Sequence, residues 1–362
     1  MLFSTVDNQL LFTPGPLNTS ATVKSAAMRD MGSRTQAMRE VTTEIVDTLH
    51  KVSELSADYT TVLLQGSGTF AVEAMLSSLI DNDDHALVLV SGDYSSRMAD
   101  ICNIYGIQHQ LLNFEESEGV CPQKLKAFLD SGPKQFSHLL FVHYETALGV
   151  VNPYQPIIDI AWQHGLKVLV DCVSSFGLLP INSERPNLVA MASSANKCIQ
   201  GLTGASFVFV QHKELMLERK KRTLAFDLKA QSTTFFASGE WRFSPPVQIL
   251  LGLRQALREY VQEGGRAQRY KKYFALHKYL ESRLSTLGIF PIINAGVRAP
   301  IINTYSLPTT MDYACLSASL IKRNIVVYAS KLKGCFRVGT AGDIRPSDID
   351  TLVNEIDTTM KG

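Results

Sequence analysis

The feature that most constrains this chain is a succession of short, almost wholly apolar runs. TTVLLQ (60–65), HALVLVS (85–91), SHLLFVHY (137–144), LKVLVDC (166–172), VAMAS (189–193) and ASFVFV (205–210) read as strands. Amphipathic stretches such as TFAVEAMLSSLI and IIDIAWQHG lie between several of them and read as helices. A strand that is apolar on both faces needs cover on both, so the pattern predicts a mostly parallel central sheet flanked by helices. From about Pro246 the texture changes. VQILLGLRQALREYVQEGG predicts a long helix ending at a glycine pair, and a second helix follows to about Leu287. PIINTYSLP, NIVVYAS and CFRVGT then read as short strands, with DYACLSASLIKRN and PSDIDTLVNEIDTTM as helices. The expected architecture is α/β, with an N-terminal arm over residues 1–20, a large domain over 21–255 and a smaller C-terminal α+β domain over 256–362.

Charge and cysteine usage narrow the partners. Thirty-five Lys and Arg stand against 34 Asp and Glu, so no global field favours nucleic acid or an anionic membrane. The stretch MLFSTVDNQLLF lacks the basic start and apolar segment of a signal peptide, and no apolar run reaches membrane-spanning length. The 6 cysteines follow no C-x-x-C or regular spacing, which points to free thiols in a reducing cytoplasm and to no metal site.

In an open parallel sheet, ligands gather beyond the carboxyl ends of the strands. QGSGTFAVEAM sets Gly66, Ser67, Gly68 and Thr69 between a strand and a helix, where free backbone N–H groups and the positive helix end can receive an anion. A plain glycine-rich turn has the same composition. Asp171 ends LKVLV, where a carboxylate losing hydration needs a cation or a strong donor, and Lys197 in SSANKCIQG follows another strand with the corresponding need. Taken singly, the one reads as a helix cap and the other as a surface lysine. Together, an aspartate, a lysine and a phosphate turn on adjacent strand ends match what pyridoxal 5'-phosphate requires.

In chain order, LLFTPGPL (10–17), LLQGSGTFAVEAML (63–76), HYETALGVVNP (143–153), VDCVSSFG (170–177), SSANKCIQG (193–201), WRFSPPV (241–247) and FRVGTAGDI (336–344) resemble the motifs of the fold-type I, class V aminotransferases. Within them the resemblance is to transaminases that move an amino group from 2-aminoethylphosphonate to pyruvate, and it extends over about residues 10–350.

The resemblance implies a role for each matching position. Lys197 would hold pyridoxal 5'-phosphate covalently and move the proton, with Asn196 beside it, and Asp171 would keep the pyridine nitrogen protonated. Ser67, Gly68 and Thr69 would bind the phosphate, joined by Ser244 from a second subunit in a homodimer with shared sites. Tyr94 in SGDYSSR would lie on the ring, unless it is ordinary helix packing, and Thr146 would approach the phenolic oxygen. Arg337 would bind the acidic group of both the aminophosphonate and the 2-keto acid, a task suited to a planar, permanently charged fork. A structural ion pair would use the same side chain. Arg34, in the entrance segment DMGSRTQAMREV (30–41), competes for that anion.

Three places depart from the aminophosphonate pattern. Thr35, Gln36 and Ala37 replace an acidic run, Ala147 and Leu148 replace threonines, and Ala329 and Ser330 replace a Pro-Gly pair. An alanine or serine–glyoxylate aminotransferase of the same class therefore stands as the alternative. A cysteine-dependent lyase would need a reactive thiol, and Cys172 and Cys198 read as small packing residues.

Overall fold

The computed structural model describes residues 8–132, 135–309 and 311–361. Its largest sheet has seven strands: β1 (Tyr59–Gly66), β2 (His85–Val90), β3 (Gln108–Asn113), β4 (His138–Val142), β5 (Lys167–Asp171), β6 (Leu188–Ser194) and β7 (Gly204–Gln211). Their order across the sheet is β1-β7-β6-β5-β4-β2-β3. Only β7 runs antiparallel to its neighbours, β1 and β6, and the other pairs are parallel.

The continuous apolar runs have the expected cause. Leu87, Leu89, Leu139, Phe141, Phe207 and Phe209 bury into the core on one face. The alternate residues Ala86, Val88, Leu140, Val142, Val208 and Val210 bury into the core on the other. Both faces of these strands are therefore closed to water, and they need no polar side. Strand β3 lacked a sequence reading because it is the sheet edge: QHQLLN is mostly exposed, with only Leu112 buried.

Helix α1 (Gln36–Ser53) starts at Thr35, whose side chain accepts from Met38 N, and lays Val41, Ile45 and Leu49 into the first core. The helices α2 (Gly68–Leu79) and α3 (Asp93–Tyr105) follow β1 and β2 on the opposite face. A long helix α4 (Val247–Glu263) packs Leu250, Leu253 and Leu257 back into the first core, and after Gly264 the chain turns into α5 (Gly265–Ser285). Beyond it stands a separate three-stranded antiparallel sheet of β8 (Ile302–Ser306), β9 (Tyr328–Ala329) and β10 (Cys335–Gly339), in the order β8-β10-β9, with its own core.

We retain the division into arm, large domain and small domain as a proposal; the helix that spans residue 255 is continuous from Val247 to Glu263. Residues 1–7 of the expected arm lie outside the described residues. Leu10–Leu11 pair in parallel with Ile325–Val326, and Phe12 is buried in the small core, so this part of the arm belongs with the C-terminal elements. Among the described residues no helix is long and apolar enough to cross a membrane.

Candidate active site

Asp171 is the last residue of β5, paired with Val142 on β4 and Ala192 on β6 in the middle of the large sheet. It is 7% exposed, and its Oδ1 accepts from Val173 N at 2.8 Å. Burial pushes its carboxyl up to about 7. The Val173 N–H and the charges of Lys197 and Arg97 pull against that rise, and Glu145 adds to it. A carboxyl in this position gains most from a cation placed opposite it.

Lys197 sits in the turn that joins β6 to β7. Gly201 N donates to Ala195 O at 2.8 Å, Gln200 N donates to Lys197 O at 2.8 Å, and Gln200 takes a left-handed φ of 61°. Helix α5 clamps this turn from behind. Gln200 Nε2 donates to Tyr273 Oη at 2.6 Å, and the buried Arg269, paired with Glu263, donates to Cys198 O at 2.7 Å. The lysine is thus held out on a rigid support. Its Nζ donates to Pro14 O at 2.6 Å, and burial pulls its ammonium down to about 8.

The turn proposed as an anion cradle lies where β1 gives way to α2. Ser67 caps the helix without a side-chain bond, so the N–H groups of Gly68 and Thr69 have no partner among the described residues. A side chain at Gly68 would place Cβ 2.5 Å from Val173 Cγ2, which is why this position stays bare. Across the cleft, α3 presents Tyr94 and Arg97. The Arg97 guanidinium lies 5.0 Å from the Tyr94 ring centroid and donates to Thr69 Oγ1 at 3.2 Å.

Ser67, Gly68, Thr69, Tyr94, Asp171, Asn196 and Lys197 line one cleft, with Arg97 and Val173 among its other walls. Asn196 accepts from Ser194 Oγ at 2.8 Å at its back. Thr146 is buried with its hydroxyl unpartnered, and its carbonyl accepts from Arg337 Nη1 at 3.1 Å. Arg337 stands on β10 and also donates from Nε to Ala329 O at 3.0 Å. Ser244 and Arg34 are both exposed and do not line the cleft.

Sequence reasoning passed over two residues. Arg97 is one helical turn beyond Tyr94 in the same SGDYSSR, and that spacing was the available signal. Glu145, 1% exposed, accepts from Tyr94 N at 3.2 Å, Ser95 N at 2.8 Å and Ser95 Oγ at 2.7 Å, fixing the first turn of α3. Burial raises its carboxyl even so.

Residues 17–335 match the family model described as aminotransferase class-V. The 2-aminoethylphosphonate–pyruvate transaminase of Bacteroides fragilis is 34% identical over 360 residues, which is 97% of this chain and 98% of that one. Its counterpart in Vibrio vulnificus is 35% identical over 358 residues, covering 97% of each. Among solved structures, the alanine–glyoxylate aminotransferase of Nostoc sp. superposes with a TM-score of 0.91 at 24% identity, covering 99% of this chain and 98% of that one. Pyridoxamine–pyruvate aminotransferase of Mesorhizobium loti reaches 0.86 at 21% identity, covering 100% and 94%. These two likenesses speak to the fold.

Proposed function

The chain belongs to the class V aminotransferases, and from that premise we propose that it moves the amino group of 2-aminoethylphosphonate, or a close aminophosphonate, to pyruvate. The products are phosphonoacetaldehyde and alanine. The observation that carries the substrate is the name shared by relatives 34–35% identical along nearly the whole chain. Pyridoxal 5'-phosphate is the cofactor.

The cleft suits that group. The bare Gly68 leaves the α2 N-terminus open to a phosphate, and a protonated ring nitrogen would stabilise the charged form of the buried Asp171, whose carboxyl burial pushes up to about 7. When bound, the cofactor supplies an electron sink for the pair left behind as the donor carbon loses its proton. Ser67, Gly68 and Thr69 would hold the phosphate, Asp171 the ring nitrogen, Tyr94 a face of the ring, and Thr146 and Asn196 its remaining polar edge.

Lys197 would bind the cofactor covalently through Nζ. Released when the donor's amine takes its place, Nζ would be free to take the donor's proton and hold it, and burial, which pulls the uncombined ammonium down to about 8, favours the neutral amine that this needs. Arg337 would orient either substrate by its anionic end, and one guanidinium can serve both because phosphonate and carboxylate present similar oxygens. The backbone contacts at Ala329 and Thr146 support that reading by fixing where the fork points. Thiol chemistry has little support here, since burial pushes Cys198 up to about 12 and Cys172 higher still.

The sequence resemblance also motivates a cytoplasmic homodimer in which the partner's copy of the 241–247 loop brings Ser244 to the phosphate. The exposure of Phe243 beside it, with Phe236 and Leu224, supports a partner surface there. An amine-donor screen decides the substrate class. Pyruvate-dependent consumption of 2-aminoethylphosphonate well above that of alanine or serine with glyoxylate is the expected outcome, and the reverse order would transfer the chain to the alternative reading.

A further inference from the structure

We infer that Lys331 is a positioning residue, a latch that ties the hairpin carrying Arg337 to the large domain beside Tyr94. The hairpin runs from β9 to β10, with Tyr328 opposite Arg337 and Ala329 opposite Phe336. Lys331 lies in the connection between these strands. Its Nζ bonds Asp93 Oδ1 at 2.7 Å and also pairs with Glu116. Asp93 is the first residue of α3, and Glu116 follows the edge strand β3. One ammonium therefore joins the small sheet's hairpin to two separate segments of the large domain.

Two connections reach the same turn of α3. Lys331 meets Asp93 directly. Arg337 donates to Thr146 O, and the adjoining Glu145 accepts from Tyr94 N and Ser95 N. The hairpin that aims Arg337 and the helix that aims Tyr94 are thereby held in a fixed relation.

A single exposed ion pair adds little to stability, and Lys331 is 31% exposed. Two carboxylates on one ammonium do more, and the Lys331 ammonium stays above its ordinary range although burial works against it. What the latch fixes is the placement of a neighbouring arginine, where small displacements are costly to binding. The inference rests on Arg337 as the reader of the substrate anion.

The test uses the cofactor-loaded full chain with 2-aminoethylphosphonate and pyruvate, comparing Lys331→Met, Lys331→Arg, Asp93→Asn and Arg337→Ala. Lys331→Met should raise KM for both substrates about three- to tenfold with kcat within about twofold, the signature of lost placement. Lys331→Arg should restore both values, and Asp93→Asn should fall between. Hydrogen exchange across residues 328–339 should quicken in Lys331→Met and return to the parental rate in Lys331→Arg. Unchanged exchange would remove the latch. Faster exchange with an unmoved KM, while Arg337→Ala raises KM, would contradict the positioning role. If Arg337→Ala itself left KM unmoved, the anion role of Arg337 would fail, while the exchange rates would still decide whether the latch exists.

Discussion

Lys197 and Pro14, 183 positions apart in the chain, are directly joined: Nζ donates to the Pro14 carbonyl at 2.6 Å. The arm therefore closes over the lysine, and the next residue leaves it no spare room. Gly15 has φ +134°, and a Cβ there would lie 2.6 Å from Nζ. Gly15→Ala combines backbone strain with crowding at the amine, at a cost of about 1–3 kcal/mol. Turnover should drop at least about tenfold, with weaker cofactor retention measured by quenching of protein fluorescence. Parental turnover in this variant would take the arm out of the site.

With the proposed role, Asp171 should contribute in opposite senses with and without the cofactor. Its carboxyl, pushed up to about 7, holds a proton in the folded chain that the unfolded chain has already released. The folded state thus binds more protons between about pH 4 and 7, and stability falls as pH rises through that window. Cofactor-free Asp171→Asn escapes the penalty and should be more stable than the parent by about 1–3 kcal/mol at pH 8, with the gap closing below about pH 4. With cofactor the order should reverse, and kcat should fall by orders of magnitude as the ring nitrogen loses its counter-charge. Thermal melts at both pH values and steady-state assays check these outcomes. An Asn variant that exchanges the donor's carbon-bound proton at the parental rate would exclude the role.

Arg337→Lys keeps the charge but loses the paired donors, so both substrates should bind about tenfold to a hundredfold more weakly, or roughly 1.5–3 kcal/mol. Arg337→Ala should lose more while still loading with cofactor, because Arg337 does not line the cleft between Asp171 and Lys197. Single-turnover rates with donor and with pyruvate separate the two half-reactions. Normal rates in Arg337→Ala together with failure in Arg34→Ala would move the anion site to the 30–41 segment.

Lys197 should be the residue labelled when the cofactor-loaded protein is reduced with borohydride and its peptides are mapped. Lys197→Ala should keep some cofactor through Asp171 and the α2 cradle but lose turnover. A label on any other lysine would overturn the assignment.

Much of this arrangement was legible in the sequence because it sits at strand ends. Asp171 closes an apolar run and Lys197 follows another, so sheet topology alone brings them together. The central strands were readable for the same reason, being apolar on both faces. The edge strand Gln108–Asn113 was not, since one open edge and a wet face leave no hydrophobic period to detect. Glu145 carries no local signal of burial, and Arg97 only its spacing from Tyr94; what makes them matter is partners 50 and 28 positions away, Ser95 and Thr69. The Pro14 contact depends on the arm pairing with Ile325–Val326, a long-range placement that no window of sequence contains.

The most direct test of the central claim is an absorbance titration of the cofactor-loaded protein with 2-aminoethylphosphonate, without any acceptor present. The near-visible cofactor band should bleach stoichiometrically as phosphonoacetaldehyde appears, and added pyruvate should restore it with release of alanine. A band that ignores 2-aminoethylphosphonate at every concentration, yet bleaches with alanine or serine, would contradict the account.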